Sequence, residues 1–409
     1  MKILMVNKFF YIKGGSETYY FALKSLLEEH GHTVIDFSMQ DEKNFPTRYS
    51  NYFVGNVNYN SNKDFHKQLK AGLNIIYSVE AKKKFEQLVI DTRPDIVHLH
   101  IFQHQLSPSI LDVIKKYNLP TVYTAHDLKM LCLNYKMMHH GQICEECKGG
   151  KYYKCAVNKC VKDSFAKSCI NVIEGYVHKY RNSYDVIDRI ITPSTFYKKK
   201  FEEFGIDSKR VIHIPNFLDT EKPNINRRDD CETYYLYFGR LSEEKGVLTL
   251  LKAFKEIDSR LYIVGTGPIK EKVEEYILKE NITNVKVLGF MSGQSLKDIV
   301  GNAKAVILPS EWYENGPYSA IEALQMGRPI IGANIGGIPE LVDENGYLFK
   351  SGCPEALKEQ IEEMERLTKS EYQKLKNNSY ELFFNRYTKK THYRDLEKVY
   401  LDVLNNIEV

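Results

Sequence analysis

Glu314 and Glu322 bracket the stretch Glu314-Asn315-Gly316-Pro317-Tyr318-Ser319-Ala320-Ile321-Glu322. Pro317 suits a first helical turn, which sets Glu314 in the loop before a helix and Glu322 within it. The backbone amides of Gly316, Tyr318 and Ser319 then form a helix start that can hold an anion. Glu314 is placed to accept hydrogen bonds from sugar hydroxyls and Glu322 from a ribose diol. The alternative is two solvated carboxylates on a helix and its cap. The apolar neighbours Ile321, Ala323 and Leu324 favour a buried helix, where an unpaired carboxylate is costly.

Arg240 and Lys245 follow Tyr237-Phe238-Gly239, where an apolar strand ends and a helix is due. Ligands of open α/β sheets bind beyond the carboxyl ends of the strands. Two fixed cations there would stabilise the charge that develops on a diphosphate leaving group. An ordinary surface Arg and Lys beside Glu243 and Glu244 is the competing reading. Gly14-Gly15 stand between the first strand and a helix opening near Ser16-Glu17. Their amides can face a phosphate or sugar at close range, or they can simply make the turn. His98, His100 and His104 lie at or after another strand, where cleft lining and packing compete as explanations.

The cysteines are a second concentration of chemistry. Cys144-Glu145-Glu146-Cys147 is followed by Cys155, Cys160 and Cys169, with Cys132 just before. The surrounding insertion, 132–169, is polar and lysine-rich and cannot easily bury a core of its own. A tetrahedral zinc site made by Cys144, Cys147, Cys155 and Cys160 would fix it, with Cys132 or Cys169 as substitutes. An iron–sulfur cluster, free thiols, or a disulfide formed on purification are the alternatives.

These residues must be positioned by a particular order of elements. Strand runs are expected at Ile3–Val6, Val34–Phe37, Ile96–Leu99, Thr121–Thr124, Ile190–Thr192 and Val211–Ile214, with helical segments such as Glu17–Glu29, Phe65–Ile90 and Pro108–Tyr117 between them. The second half repeats the alternation at Tyr234–Phe238, Leu261–Val264, Val285–Leu288, Ala305–Leu308, Pro329–Gly332 and Tyr347–Phe349. Two such runs predict two doubly wound parallel-sheet α/β domains facing a central cleft. The polar stretch Asp219–Glu232 predicts the boundary, giving domains 1–217 and 218–385. A long helical tail from about Glu355 should end in a helix, 386–409, that returns to the first domain.

A chain of 409 residues, 43% hydrophobic and 27% charged, has the length and composition of a two-domain globular protein. Its net charge of +4 points to no nucleic-acid partner. Lys148, Lys151, Lys154, Lys159, Lys162 and Lys167 cluster, as do Lys198, Lys199 and Lys200. They form either a solvated face or a patch for anionic lipid headgroups. Without a signal-like or membrane-spanning apolar run, the expected location is the cytosol, with reduced cysteines and peripheral contact at the inner membrane face.

Taken in order, the motifs resemble those of the retaining glycosyltransferases of GT-B fold in the large family 4, often termed group 1. Gly14-Gly15-Ser16-Glu17 then Gly31-His32-Thr33-Val34 resembles the opening loop and helix, and Thr124-Ala125-His126-Asp127 the histidine-aspartate loop. Ile214-Pro215-Asn216 resembles the entry to the second domain, and Phe238-Gly239-Arg240 with Lys245-Gly246 the diphosphate-binding pair. Glu314 to Glu322 is similar to the paired-glutamate signature, and Gly327-Arg328-Pro329 with Gly336-Gly337-Ile338-Pro339-Glu340 continues the pattern.

The resemblance implies a catalytic set of His126, Glu314, Arg240 and Lys245. It assigns the diphosphate to Arg240 and Lys245 and the ribose to Glu322. The donor sugar falls to Glu314 with Asn315, Gly316, Pro317, Tyr318 and Ser319, and His126 stands at its reacting side. Gly14 and Gly15 lie under donor and acceptor. It further implies a nucleotide-activated α-sugar, UDP before GDP, and retention by front-face attack with the leaving phosphate as base. The acceptor would be a surface glycan or its lipid-linked precursor, with the cysteine insertion shaping the acceptor side. No Asp-x-Asp occurs, so transfer is expected to need no metal or other cofactor, the cations replacing it. A sugar phosphorylase, a disaccharide synthase, or a non-catalytic binding subunit would use the same fold.

Overall fold

The computed structural model describes residues 1–56, 72, 74–219, 224–226 and 231–405. In its first half lie β1 (Lys2–Val6), α1 (Gly15–Glu29), β2 (Thr33–Phe37), α2 (Val79–Thr92), β3 (Ile96–Leu99), α3 (Leu111–Tyr117) and β4 (Thr121–Thr124). The insertion adds a small hairpin, β5 (Met138–His139) and β6 (Gln142–Ile143), then α4 (Tyr153–Val157) and α5 (Phe165–Tyr180). β7 (Arg189–Thr192), α6 (Thr195–Glu203) and β8 (Val211–His213) complete a parallel sheet of order β2-β1-β3-β4-β7-β8.

The second half runs β9 (Tyr234–Phe238), α7 (Val247–Phe254), β10 (Arg260–Val264), α8 (Lys270–Lys279), β11 (Val285–Gly289), α9 (Gly293–Gly301), β12 (Ala305–Leu308), α10 (Tyr318–Gln325), β13 (Ile330–Ala333) and β14 (Gly346–Phe349). These strands form a second parallel sheet, β11-β10-β9-β12-β13-β14. The central strands β3, β4, β12 and β13 are buried at every position. Helices cover both faces, which is why these strands read as unbroken apolar runs rather than alternating ones.

One helical expectation is corrected. The helix predicted over Phe65–Ile90 is interrupted at Tyr77-Ser78. α2 starts afresh there because the Ser78 side chain accepts the amide of Ala81 as an N-cap; most of the earlier part lies outside the described residues. The helical tail comprises α11 (Pro354–Arg366), α12 (Lys369–Arg386) and α13 (Lys389–Asn405). Thr368 and Glu371 make a capping box that starts α12, and Thr388 Oγ1 accepts the amide of Thr391 ahead of α13.

Each sheet has its own apolar core. The first extends to Phe217 and takes in Leu396, Val399, Tyr400 and Val403 of α13; the second runs from Tyr234 to Tyr387. The two crossings between cores are stitched together, Leu218 N donating to Tyr387 O (2.9 Å) and Lys389 N to Leu218 O (3.1 Å). Within the expected linker, residues 220–223 and 227–230 lie outside the described residues. Asn226 is tied to Asp298 by its backbone N and its Nδ2, each at 2.9 Å. Among the described residues no helix is long and apolar enough to cross a membrane.

Candidate active site

The loop after β9 is shaped by close backbone approaches. Gly246 has φ +67°, and a Cβ there would lie 1.8 Å from Pro309 O, so glycine alone lets this loop meet the end of β12. That approach carries Lys245 to the other strand end. Lys245 Nζ lies 2.6 Å from Glu314 Oε1, and Ser310 Oγ donates to the same oxygen at 2.5 Å. Glu314 is only 6% exposed, so its charge depends on these partners. The Trp312 ring centroid stands 5.2 Å from the ammonium. Arg240 is exposed and, among the described residues, has no ion-pair partner. Tyr237 Oη donates to its carbonyl at 2.7 Å and holds the backbone beneath it.

Gly336-Gly337 form the floor of the glutamate loop. A Cβ on Gly336 (φ +60°) would lie 2.5 Å from Glu314 N, and Gly337 N donates to Glu314 O at 2.7 Å. Pro317 is the residue before α10 rather than inside its first turn (φ −66°, ψ 128°), so the helix begins one residue later than expected. Glu322 is half-buried on α10 without a hydrogen-bond or ion-pair partner among the described residues. Burial pushes its carboxyl up to about 7, with Lys297 pulling the other way.

Asn315, expected at the donor sugar, has its side chain taken up elsewhere. Nδ2 donates to Ala125 O (2.8 Å), while Oδ1 accepts from Ser194 Oγ (3.1 Å). Asn216 Nδ2 donates to Gly316 O at 2.8 Å, again across the domains. The histidine loop and the glutamate loop are thus bolted together by side-chain amides. Gly15 belongs to the same juncture, because a Cβ there would be 3.5 Å from Tyr318 Cδ2. Gly14 is extended, with φ −167°, so its backbone does not require glycine; the missing side chains leave the start of α1 open toward Tyr318.

His126 sits just past β4. Its Nε2 is 3.1 Å from His100 Nδ1, and the rings stack at 5.3 Å. His100 is fully buried and its Nε2 has no partner among the described residues. A buried N–H without an acceptor costs more than a bare lone pair. The hydrogen-bond balance therefore assigns the His100 proton to Nδ1, donated to His126 Nε2, and leaves Nδ1 as the donor of the His126 ring. Burial lowers His126 to about 3, so the ring is neutral at working pH. His98 is a packing residue, bonded to Tyr400 Oη (2.6 Å) and Thr124 Oγ1 (2.7 Å). His104 is half-buried, and desolvation lowers its proton affinity.

The eight cysteines are free thiols. Cys132, Cys144, Cys147, Cys155 and Cys160 line one small cavity. Among the described residues, however, no three His, Cys, Asp or Glu side chains are set to hold a metal ion, and the zinc site expected at Cys144, Cys147, Cys155 and Cys160 is not supported. Burial keeps Cys132 and Cys147 protonated, pushed up to about 11 and 12. The proximity of the Cys155 and Cys160 thiols raises the pKa of the first and lowers that of the second. Cys169 sits on α5, apart from that cavity's lining. The insertion is anchored to the cleft instead by Glu145, which accepts from Tyr313 Oη at 2.7 Å and pairs with Lys200 at 2.8 Å.

Two contributors were not singled out from sequence. Glu340 caps α6 from the other domain, its carboxylate accepting Thr195 N (2.8 Å) and Phe196 N (2.7 Å). Its place at the end of the Gly336–Glu340 motif was the available signal. Lys129, two residues after Asp127, forms a buried pair with Glu174 at 2.9 Å, and no local pattern announced it.

Comparison with known proteins bears on the family and the fold. Residues 13–222 match the model of Glycosyltransferase Family 4, and residues 219–382 that of Glycosyl transferases group 1. An uncharacterized glycosyltransferase of Methanocaldococcus jannaschii is 24% identical over 89% of this chain and 88% of its own. An uncharacterized protein in the cps region of Klebsiella pneumoniae is 24% identical over 83% and 87%. In fold, the chain is similar to a Thermosynechococcus elongatus sucrose-phosphate synthase (TM-score 0.73, 16% identity, 99% of both chains). It is likewise similar to Anabaena HepE solved with UDP (TM-score 0.65, 17% identity, 97% and 99%). With more than half of its length matched by one family model and most of the remainder by its companion, the chain belongs to glycosyltransferase family 4, on a GT-B fold of two Rossmann-like domains.

Proposed function

We propose that this glycosyltransferase moves a hexose-type sugar from a UDP-sugar to an acceptor hydroxyl, with retention of configuration. The single observation that carries the reading is the convergence of Lys245, Glu314 and the start of α10 at the ends of β9 and β12. Arg240 and Lys245 supply positive charge for the departing diphosphate without an Asp-x-Asp motif. Glu314 and the amides before α10 hold sugar hydroxyls, and Glu322 takes the ribose diol. The neutral His126 offers Nδ1–H to a sugar oxygen, so it orients the ring rather than removing a proton. That leaves the leaving phosphate as the base for the attacking hydroxyl, on the same face of the sugar.

The acceptor side is the surface shared by the Gly14-Gly15 loop and the insertion. The relative in the Klebsiella cps region, and an amylovoran biosynthesis glycosyltransferase of Erwinia amylovora that is 23% identical over 46% of this chain, support a surface glycan or its lipid-linked precursor. UDP as leaving group is supported by the UDP-bound state of HepE. A nucleotide thermal-shift panel followed by proton NMR of the product with UDP-hexoses tests the reading. Stabilisation by UDP and an α-linked product are expected. A β-linked product, or turnover only with phosphate or a free sugar as acceptor, would overturn it.

A further inference from the structure

Helix α5 is assembled inside out. The residues it buries are Ser168, Asn171, Glu174 and His178. They are held by polar contacts: Lys129 Nζ bonds Asn171 Oδ1 and Glu174 Oε2, both at 2.9 Å, and His178 Nε2 is 2.9 Å from Ile76 O. The outward stripe is apolar. Phe165, Ile173, Tyr176 and Tyr180 fall within about 80° of one another around the helix, and they are 59%, 52%, 39% and 92% exposed. Tyr153 of α4, 50% exposed, extends the patch, its N donating to Tyr176 Oη at 3.3 Å. A soluble helix places its apolar stripe on the core and its polar stripe in water; here the two are exchanged.

The border of this patch is cationic. Lys179 lies about 40° from Phe165 around α5, and Lys151 and Lys159, on either side of α4, are exposed as well. Of the nearby acids, Glu174 is buried on Lys129, Glu145 is paired with Lys200, and Glu146 lies 3.7 Å from Lys154, leaving Asp163 as the exposed acid of the turn before α5. Tyrosines and aliphatics with a lysine rim suit the boundary between phosphate headgroups and acyl chains. Each lysine there gains from an anionic surface, whereas a neutral protein partner would leave the lysine border unmatched.

We infer that the α4–α5 face docks on an anionic phospholipid bilayer. The inference does not depend on the reaction, so its failure would leave the transferase reading standing. It places the insertion's other side, where Glu145 meets Tyr313 and Lys136 Nζ lies 3.5 Å from Glu244, between the lipid surface and the cleft.

Flotation with phosphatidylcholine vesicles, with and without about one-third phosphatidylglycerol, tests it. The wild-type chain should bind the anionic vesicles about ten-fold more tightly than the neutral ones, and release in about 0.5 M salt. The double variant Ile173→Asp/Tyr180→Asp should lose about ten-fold in vesicle binding, with Tm and UDP affinity unchanged. Should that variant fold poorly, Lys159→Glu/Lys179→Glu probes the rim alone and is expected to weaken binding in the same direction. Equal or absent binding to both vesicle types, or unaltered binding by folded variants, overturns the inference. So does a wild-type dimer that the apolar variant dissolves, which would give the face to a second copy of the chain.

Discussion

Lys245 Nζ and Glu314 Oε1 are 2.6 Å apart, so the cation assigned to the diphosphate and the carboxylate assigned to the sugar hold each other in place. Removing Lys245 leaves a nearly buried carboxylate with Ser310 as its remaining side-chain partner. Lys245→Ala should therefore destabilise the protein by about 1–3 kcal/mol and cut kcat/KM by about 100-fold. Glu314→Gln, which preserves the shape, should lose transfer to a similar degree while remaining folded. A double-mutant cycle on kcat/KM measures the coupling. Additivity within about 0.3 kcal/mol would show that the two act independently.

Glu322 should make stability and donor affinity respond to pH in opposite senses. Its carboxyl is raised from 4.5 to about 7 by burial, so the folded state holds a proton that the unfolded chain has released. Stability is then fully present below about 4.5 and falls as pH rises through 7, by at most about 3 kcal/mol. A ribose diol prefers the carboxylate, so UDP affinity should weaken as pH falls below 7. Glu322→Gln should flatten both profiles, raise Tm above pH 7 and weaken UDP about 10-fold. Denaturation and titration calorimetry from pH 5 to 8.5 check this, and an unchanged pH profile in the variant would remove the assignment.

His100 should act on transfer by setting the proton of His126, 3.1 Å away. His100→Phe removes the donor to His126 Nε2, frees the ring to change tautomer, and should lower kcat about 10-fold with less change in KM. His100→Gln, whose amide can donate to the same nitrogen, should restore most of the rate. Nitrogen NMR of labelled histidine reads the tautomer directly. A His126 ring protonated on Nε2 in the wild-type protein would contradict the assignment.

Glu340 and Asn315 brace the domains. Glu340→Ala strips the caps from Thr195 and Phe196 amides and should cost about 1–2 kcal/mol of stability. Asn315→Ala frees the Ala125 carbonyl and Ser194 and should raise the KM for donor more than it changes Tm. Differential scanning calorimetry with steady-state kinetics separates these outcomes, and wild-type values for both variants would show that the braces are dispensable.

If Arg240 and Lys245 offset the diphosphate charge as proposed, transfer should persist undiminished in excess chelator. Activity lost to chelator and restored by magnesium or manganese would refute this.

The alternation of short apolar runs with helical segments was legible because it is local. Backbone hydrogen bonding and burial act over four to ten residues, so Ile96–Leu99, Thr121–Thr124, Tyr234–Phe238 and Ala305–Leu308 matched their strands to the residue. The helix breaks at Ser78 and Thr368 were less visible, since a cap is one side chain finding one amide. His126, Glu314 and Lys245 could be named from motif and strand-end position. Their partners could not, because Lys245 finds Glu314 from 69 residues away and Asn315 finds Ala125 from 190.

The sequence by itself determined two wound sheets and the residue types at their strand ends, through periodicity and the backbone demands of glycines such as Gly246. Only the tertiary structure decided which side chains meet. It tied the Asn315 side chain to Ala125 and Ser194 and drew Glu340 onto α6. It also put the apolar stripe of α5 in solvent, where burial of Lys129 with Glu174 overrode the usual inward turn of an amphipathic helix.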